Sequence, residues 1–321
     1  MEKEQKEKVS PLILFKSRGY AGCIADAYRL FTDNLGSIMR HVWLPMLIFA
    51  ILIAAAITAM QQGSKMEMVG VSTNNVEALQ KGGIIVLAGL VMLLLSIVPM
   101  NIMYGRYFTM LRQHSLTDKM PMKKEKLPKA DVRKMVRRVW AAFFVYLIIF
   151  GILIAAFCAP IVLGCNEIPT DPSNYKFYGI AALIALVGFI FILPLYNVYM
   201  AYMIDHSKGL FATFANQFGR SFKHWGFLFI IFVITALILL MIFAVLSLPE
   251  IILTTADNTN TLGMMQGDPD GLPSSFPLIM IVTTALITFA SYCIYLLVYT
   301  IMYYAYGSIE TQEKEKAKRM K

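Results

Sequence analysis

Four histidines, four cysteines and a few scattered carboxylates are the residues here whose types could do chemistry, and their spacing gathers none of them into a reactive set. His41, His114, His206 and His224 are far apart, and no His-Glu-x-x-His, Gly-x-Ser-x-Gly or glycine-rich phosphate loop occurs. Cys23, Cys158, Cys165 and Cys293 include no Cys-x-x-Cys pair, and none stands at metal-ligand spacing from a histidine. Cys158 and Cys165 share the end of one apolar segment and read as unpaired small residues; a disulfide between them needs a helix break, for which Pro160 stands ready. Asp268-Pro269-Asp270 offers two carboxylates but lacks the further oxygen ligands of a calcium loop. The sequence therefore nominates no catalytic, cofactor-binding or metal-ligating residue, and the expectation is a protein that is not an enzyme and holds no cofactor.

Two polar patterns remain. Asn101 and Asn197 follow Pro99 and Pro194 by two and three residues, inside otherwise apolar segments. A proline frees a backbone carbonyl, and a nearby amide can satisfy it or bridge to another helix; the other reading is that the two amides line a central polar cavity. Thr283, Thr284, Thr288 and Ser291 make a comparable small-residue stripe, of the kind that packs helices together. The second pattern is the run 119–138, with nine Lys/Arg in twenty residues. It fixes topology by its charge alone. It is also suited to anionic lipid headgroups, each charge near such a surface being worth about 1 kcal/mol, with Lys123, Lys124, Arg133, Lys134, Arg137 and Arg138 as the candidate contacts. No interleaved aromatics accompany these charges, which argues against nucleic acid as a partner.

The elements that must carry these residues are membrane helices. Of the 321 residues 58% are hydrophobic and 15% charged, against about 25% charged in a soluble domain. The charges fall in blocks between six apolar segments, 43–60, 83–104, 140–163, 178–203, 225–248 and 277–304. A helix needs roughly 20 apolar residues to cross a bilayer, and the uniform apolarity of the segments excludes barrel strands, which alternate. No apolar run begins before Trp43, so residues 1–10 are not a signal peptide and the first span doubles as the insertion signal. Seven Lys/Arg precede residue 43, the connection 204–224 carries three and the last residues five, while 249–276 carries none. This alternation with the connections 61–82 and 164–177, which hold two and one, predicts both termini in the cytoplasm. The remaining connections, such as 164–174 and 266–275, are rich in turn residues and read as short loops.

Amphipathic segments precede the odd spans. Ile24, Tyr28, Phe31, Leu35, Ile38 and Val42, and again Phe211, Phe214, Phe218 and Phe222, recur every three or four residues. This predicts interfacial helices over 21–42 and 210–224. Trp43, Trp140 and Trp225 each open an odd span just after basic residues, and Tyr104, Tyr199 and Tyr303 close the even ones. Two explanations stand side by side: a threefold hairpin repeat over 21–114, 128–206 and 208–310, or the aromatic belt that any membrane hairpin carries. The fold class expected is all-α, a single polytopic bundle with charged tails at 1–20 and 311–321.

The surface helix ending in basic residues and Trp, followed by a Phe/Ile/Leu-rich hairpin, over 25–60 and 210–245, resembles a loose group of uncharacterised bacterial multi-pass membrane proteins. It is also similar to the membrane domain of some glycerophosphodiester phosphodiesterases. Nothing like the catalytic domain of those esterases is present, so the resemblance implies membrane residence and no activity. Mitochondrial carriers also build three hairpins, but Pro45 and Pro160 lack the acid and base of the carrier motif, and Leu253 stands where the base would follow Pro249 and Glu250. With no glycosylation sequon in the chain, the expected location is a bacterial cytoplasmic membrane. The expected role is packing, lipid contact or partner binding. The alternative is a small-molecule or lipid transporter or channel; the scarcity of ionisable residues within the spans argues against ion coupling.

Overall fold

The computed structural model describes residues 12–164, 174–269 and 271–320, and among these every regular element is helical. Six helices are long and apolar enough to cross a membrane: α2 (Leu35–Ser72), α3 (Val76–Thr117), α4 (Lys129–Gly164), α5 (Tyr175–Ile204), α7 (Trp225–Leu246) and α9 (Phe276–Arg319). Each contains one of the six expected apolar segments, or all but its last residues, and most run well past it. α9 is 44 residues long, about 66 Å at 1.5 Å per residue. The apolar residues of these helices point outward as well as inward: Leu94 of α3, Ile148 and Ile152 of α4, Leu183 of α5 and Leu240 of α7 are all exposed. A water-soluble protein does not tolerate so much exposed apolar surface, and a bilayer requires it. The chain is a multi-pass membrane protein by this architecture.

Two short helices precede spans. α1 (Tyr20–Asp33) is followed by α2 after a break at Asn34, whose side-chain amide donates to the Leu30 carbonyl at 2.8 Å. The expected surface helix over 21–42 therefore ends earlier, and residues 35–42 are the first turns of the span. The cause is visible in the stripe: Ile38, Val42, Met46 and Phe49 are all buried at gaps of four, four and three, so one face runs through the boundary without interruption. α6 (Leu210–Lys223) ends at His224, where expected. Its faces are arranged against the usual sense: the buried stripe is polar (Thr213, Gln217, Ser221), while Phe211, Phe214 and Phe222 are exposed.

The helix α8 (Leu248–Met265) occupies a connection that reads as loop. Its signals are nonetheless present in the sequence: Pro249 in the first turn, where a missing N–H costs nothing, and Glu250 beside it, favoured by the helix dipole. Cys165 and most of the loop 164–174 lie outside the described residues; Cys23, Cys158 and Cys293 are free thiols.

The chain divides into two compact units. Unit 1 takes residues 1–35, 108–234 and 299–321; unit 2 takes 36–107 and 235–298. In unit 2 the α2–α3 hairpin is built on glycine. A Cβ on Gly82 would stand 2.7 Å from the Gly63 carbonyl oxygen, and one on Gly89 would stand 2.9 Å from that of Ala56, so the two backbones touch where no side chain intervenes. The turn between them uses Asn74 at φ 53°, and the Asn75 side chain accepts from the Ala78 N–H at 3.1 Å, capping α3.

In unit 1 the segment 12–18 lies along the far end of α9. Ser308 Oγ accepts from the Arg18 N–H at 2.9 Å and donates to the Arg18 carbonyl at 2.8 Å, and the Tyr304 hydroxyl donates to the Leu12 carbonyl. Arg18 itself pairs with Asp26 at 2.6 Å and lies over the Tyr304 ring. The same stretch of α9 meets α3 through His114 Nδ1 and the Tyr303 hydroxyl at 2.8 Å. It meets α6 through Gln217 and Glu310 at 2.7 Å, and the His224 ring just beyond α6 bonds Glu313 at 2.8 Å.

Candidate anionic-lipid interface

The basic run divides at the start of α4. Residues 119–128 lie outside any helix, and Lys123 and Lys124 there are exposed. From Lys129 the chain is helical, and Met135, Val139 and Ala142, at gaps of four and three, bury one stripe of it. Helical geometry then places Arg133, Lys134 and Arg137 off that stripe, and all three are exposed. Neither these three nor Lys123 and Lys124 form an ion pair among the described residues. They are five exposed cations of one run, which also carries the carboxylates of Glu125 and Asp131.

Arg138, the sixth candidate, behaves differently. It is half-buried, and its guanidinium donates to the carbonyls of Tyr202, Asp205 (2.9 Å) and Lys208 (3.2 Å) while lying 3.8 Å above the Tyr202 ring. The last carbonyls of a helix have no intrahelical partner, and a cation there also meets the negative end of the helix dipole. Arg138 thus caps α5 and fixes the loop beyond it.

Asn101 and Asn197 fall in different units. In unit 2, Asn101 Nδ2 donates to the Ile97 carbonyl at 2.8 Å, and its Oδ1 is buried without a partner among the described residues. In unit 1, Asn197 Nδ2 donates to Ser221 Oγ at 2.8 Å, tying α5 to α6, and its Oδ1 is likewise unpaired. Neither amide reaches the carbonyl that its neighbouring proline frees. That of Pro194 is the Ile190 carbonyl, and it accepts the Trp225 indole N–H at 3.0 Å. In unit 2, the carbonyl freed by Pro45 belongs to His41 and accepts from Arg106 Nη1 at 3.0 Å.

One charged pair was not legible. Lys65 of α2 and Asp257 of α8 meet at 3.2 Å with side chains 12% and 7% exposed. Both lie in connections by composition, and only the unforeseen helix α8 carries Asp257 to its partner. Thr284 of the small-residue stripe is buried, with Glu250 Oε1 3.4 Å from its hydroxyl. Among the described residues no group of His, Cys, Asp and Glu could hold a metal ion. Comparison with known proteins finds no matching family, no matching curated protein and no matching solved structure.

Proposed function

We propose that this is a non-enzymatic integral membrane protein of a bacterial cytoplasmic membrane that gathers anionic lipid at its cytoplasmic face. The observation that carries this reading is the unpaired exposed patch of Lys123, Lys124, Arg133, Lys134 and Arg137, set just before the apolar part of α4. Cations there meet headgroups where lipid charge is densest, and none is paired with a carboxylate among the described residues. The outward Phe211, Phe214 and Phe222 of α6 support it, since an interfacial helix inserts such a face among acyl chains.

Tryptophan quenching by brominated lipid tests the reading, because Trp140 lies one turn beyond Arg137. In nanodiscs, with Trp43 and Trp225 replaced by Phe, brominated phosphatidylglycerol is expected to quench Trp140 more than brominated phosphatidylcholine does. Combined Lys123→Gln, Lys124→Gln, Arg133→Gln and Arg137→Gln substitutions should remove the difference, as should high salt, which shortens the Debye length to about 3 Å at 1 M. Equal quenching by the two lipids in the parent protein would refute the proposal.

One observation favours the second reading, a transporter or channel. In unit 2, Thr58 Oγ1, Gln61 Oε1 and Thr235 Oγ1 are buried without partners among the described residues, as groups lining a polar path would be. Solute flux in proteoliposomes above that of protein-free vesicles would decide for it, and its absence across polar and amphipathic solutes would decide against.

A further inference from the structure

The loop from α5 to α6 holds a histidine whose ring has no hydrogen bond among the described residues. Both ring nitrogens of His206 are buried and have no hydrogen-bond partner among the described residues. A buried polar atom left unsatisfied costs about 1–3 kcal/mol. The backbone on either side of the ring is held in place. Arg138 grips the carbonyls of Asp205 and Lys208 on either side of it, and the Asp205 carboxylate accepts both the backbone N–H (2.9 Å) and the hydroxyl (2.6 Å) of Ser207.

The charges that bear on His206 are Arg112 of α3 and Asp131, Lys134 and Arg138 of α4. Arg112, Lys134 and Arg138 raise the positive potential at the ring, and Asp131 offsets part of it. Burial first, and then these cations, lower its pKa to about 4, so the imidazole is neutral at pH 7 and offers one N–H donor. Arg112 is half-buried, and its side chain has neither an ion pair nor a hydrogen bond among the described residues. Lys134 is exposed one helical turn before Arg138 and so lies on the same side of α4.

We propose that Arg112, Lys134 and His206, held in place by the Arg138 cap, form a binding site for a doubly charged phosphate group, either a phosphomonoester lipid headgroup or free phosphate. The chemistry matches at each position. A guanidinium fork takes two phosphate oxygens side by side, an ammonium supplies a point charge, and a neutral imidazole N–H donates to the third oxygen. A phosphomonoester carries about −1.5 to −2 at pH 7, and Arg112 and Lys134 are two cations with no ion pair among the described residues. The inference deepens the anionic-lipid reading and rests on it through Lys134, but its own residues, Arg112 and His206, lie outside the exposed patch.

The test uses the full chain in nanodiscs. In phosphatidylcholine nanodiscs, inorganic phosphate is titrated and binding is followed by calorimetry. In nanodiscs with added phosphatidic acid, lipid retained through delipidating washes is counted by native mass spectrometry. Saturable phosphate binding that weakens at least about tenfold in Arg112→Gln and in His206→Asn, with Lys123→Gln/Lys124→Gln unchanged, supports the site with free phosphate as ligand. No phosphate binding, but phosphatidic acid retention lost in the same two variants, supports it with the lipid as ligand. No binding in either arm, or binding that Arg112→Gln and His206→Asn leave intact, overturns it. Arg112→Lys keeps the charge without the fork and should weaken binding partially, which serves if the Gln variant does not fold. Loss of the phosphatidylglycerol preference of Trp140 with the phosphate site intact would instead strike only at the exposed patch.

Discussion

A proline inside a helix leaves the carbonyl four residues earlier without its N–H, and in a membrane that carbonyl has no water to turn to. Two such carbonyls are capped here by side chains from elsewhere in the same unit: His41 by Arg106, and Ile190 by Trp225. Trp225→Phe keeps most of the packing and removes only the donor. It should lower stability by about 1–2 kcal/mol, read as an earlier thermal midpoint in detergent, while Trp43→Phe, whose exposed ring makes no such bond, should have almost no effect. Equal shifts in the two variants would refute the capping role. Neither cap was legible in the sequence. Arg106 and Trp225 are the residue types that headgroup regions attract, and their carbonyl partners lie 65 and 35 residues away. The same holds for Arg138, whose type and neighbours mark it as lipid-facing and whose bonds go to the backbone of α5.

At the scale of elements, what local composition encodes was readable. Each apolar segment seats a helix, because a charge-free run of that length has one low-energy state in lipid. Boundaries were less readable where one stripe crosses them, as from Val42 into Met46, and a helix was missed where polar residues such as Asp257 and Thr261 make up its buried face. The docking of 12–18 on α9 was not visible at all, since it joins residues nearly a chain length apart. It depends on Gly307, where a Cβ would come within 2.5 Å of the Leu14 carbonyl oxygen and of Leu14 Cδ1. Gly307→Ala should therefore destabilise unit 1 by about 1–3 kcal/mol and expose the Leu12–Arg18 stretch to protease. Gly151→Ala, with open space at its Cβ, serves as the control. Unchanged proteolysis of Gly307→Ala would mean that the segment is held by other means.

At the scale of the whole molecule, the alternation of Lys/Arg-rich and Lys/Arg-poor connections along six spans predicts that tags at residues 1 and 321 report the cytoplasm and a tag near Asn260 the opposite side. Impermeant cysteine labelling in intact cells checks this, and an externally labelled C-terminus would refute both the topology and the cytoplasmic placing of the lipid patch. Within unit 1 the segment before α1 is bonded to the last helix, where Arg18 meets Ser308.

Unit 1 is also assembled from three separated stretches of chain, 1–35, 108–234 and 299–321. The order of synthesis then becomes a constraint. Arg18 can make its bonds to Asp26 and to the carbonyls of Ile13, Leu14 and Lys16 as soon as the first helix exists. Its partner Ser308 leaves the ribosome about 290 residues later, on the order of tens of seconds at ordinary elongation rates. Through that interval Leu14 and Cys23, buried in the finished protein, are uncovered. A nascent chain arrested before α9 therefore carries an open apolar seam along residues 14–23, and α9 closes it through Ser308 and its neighbours.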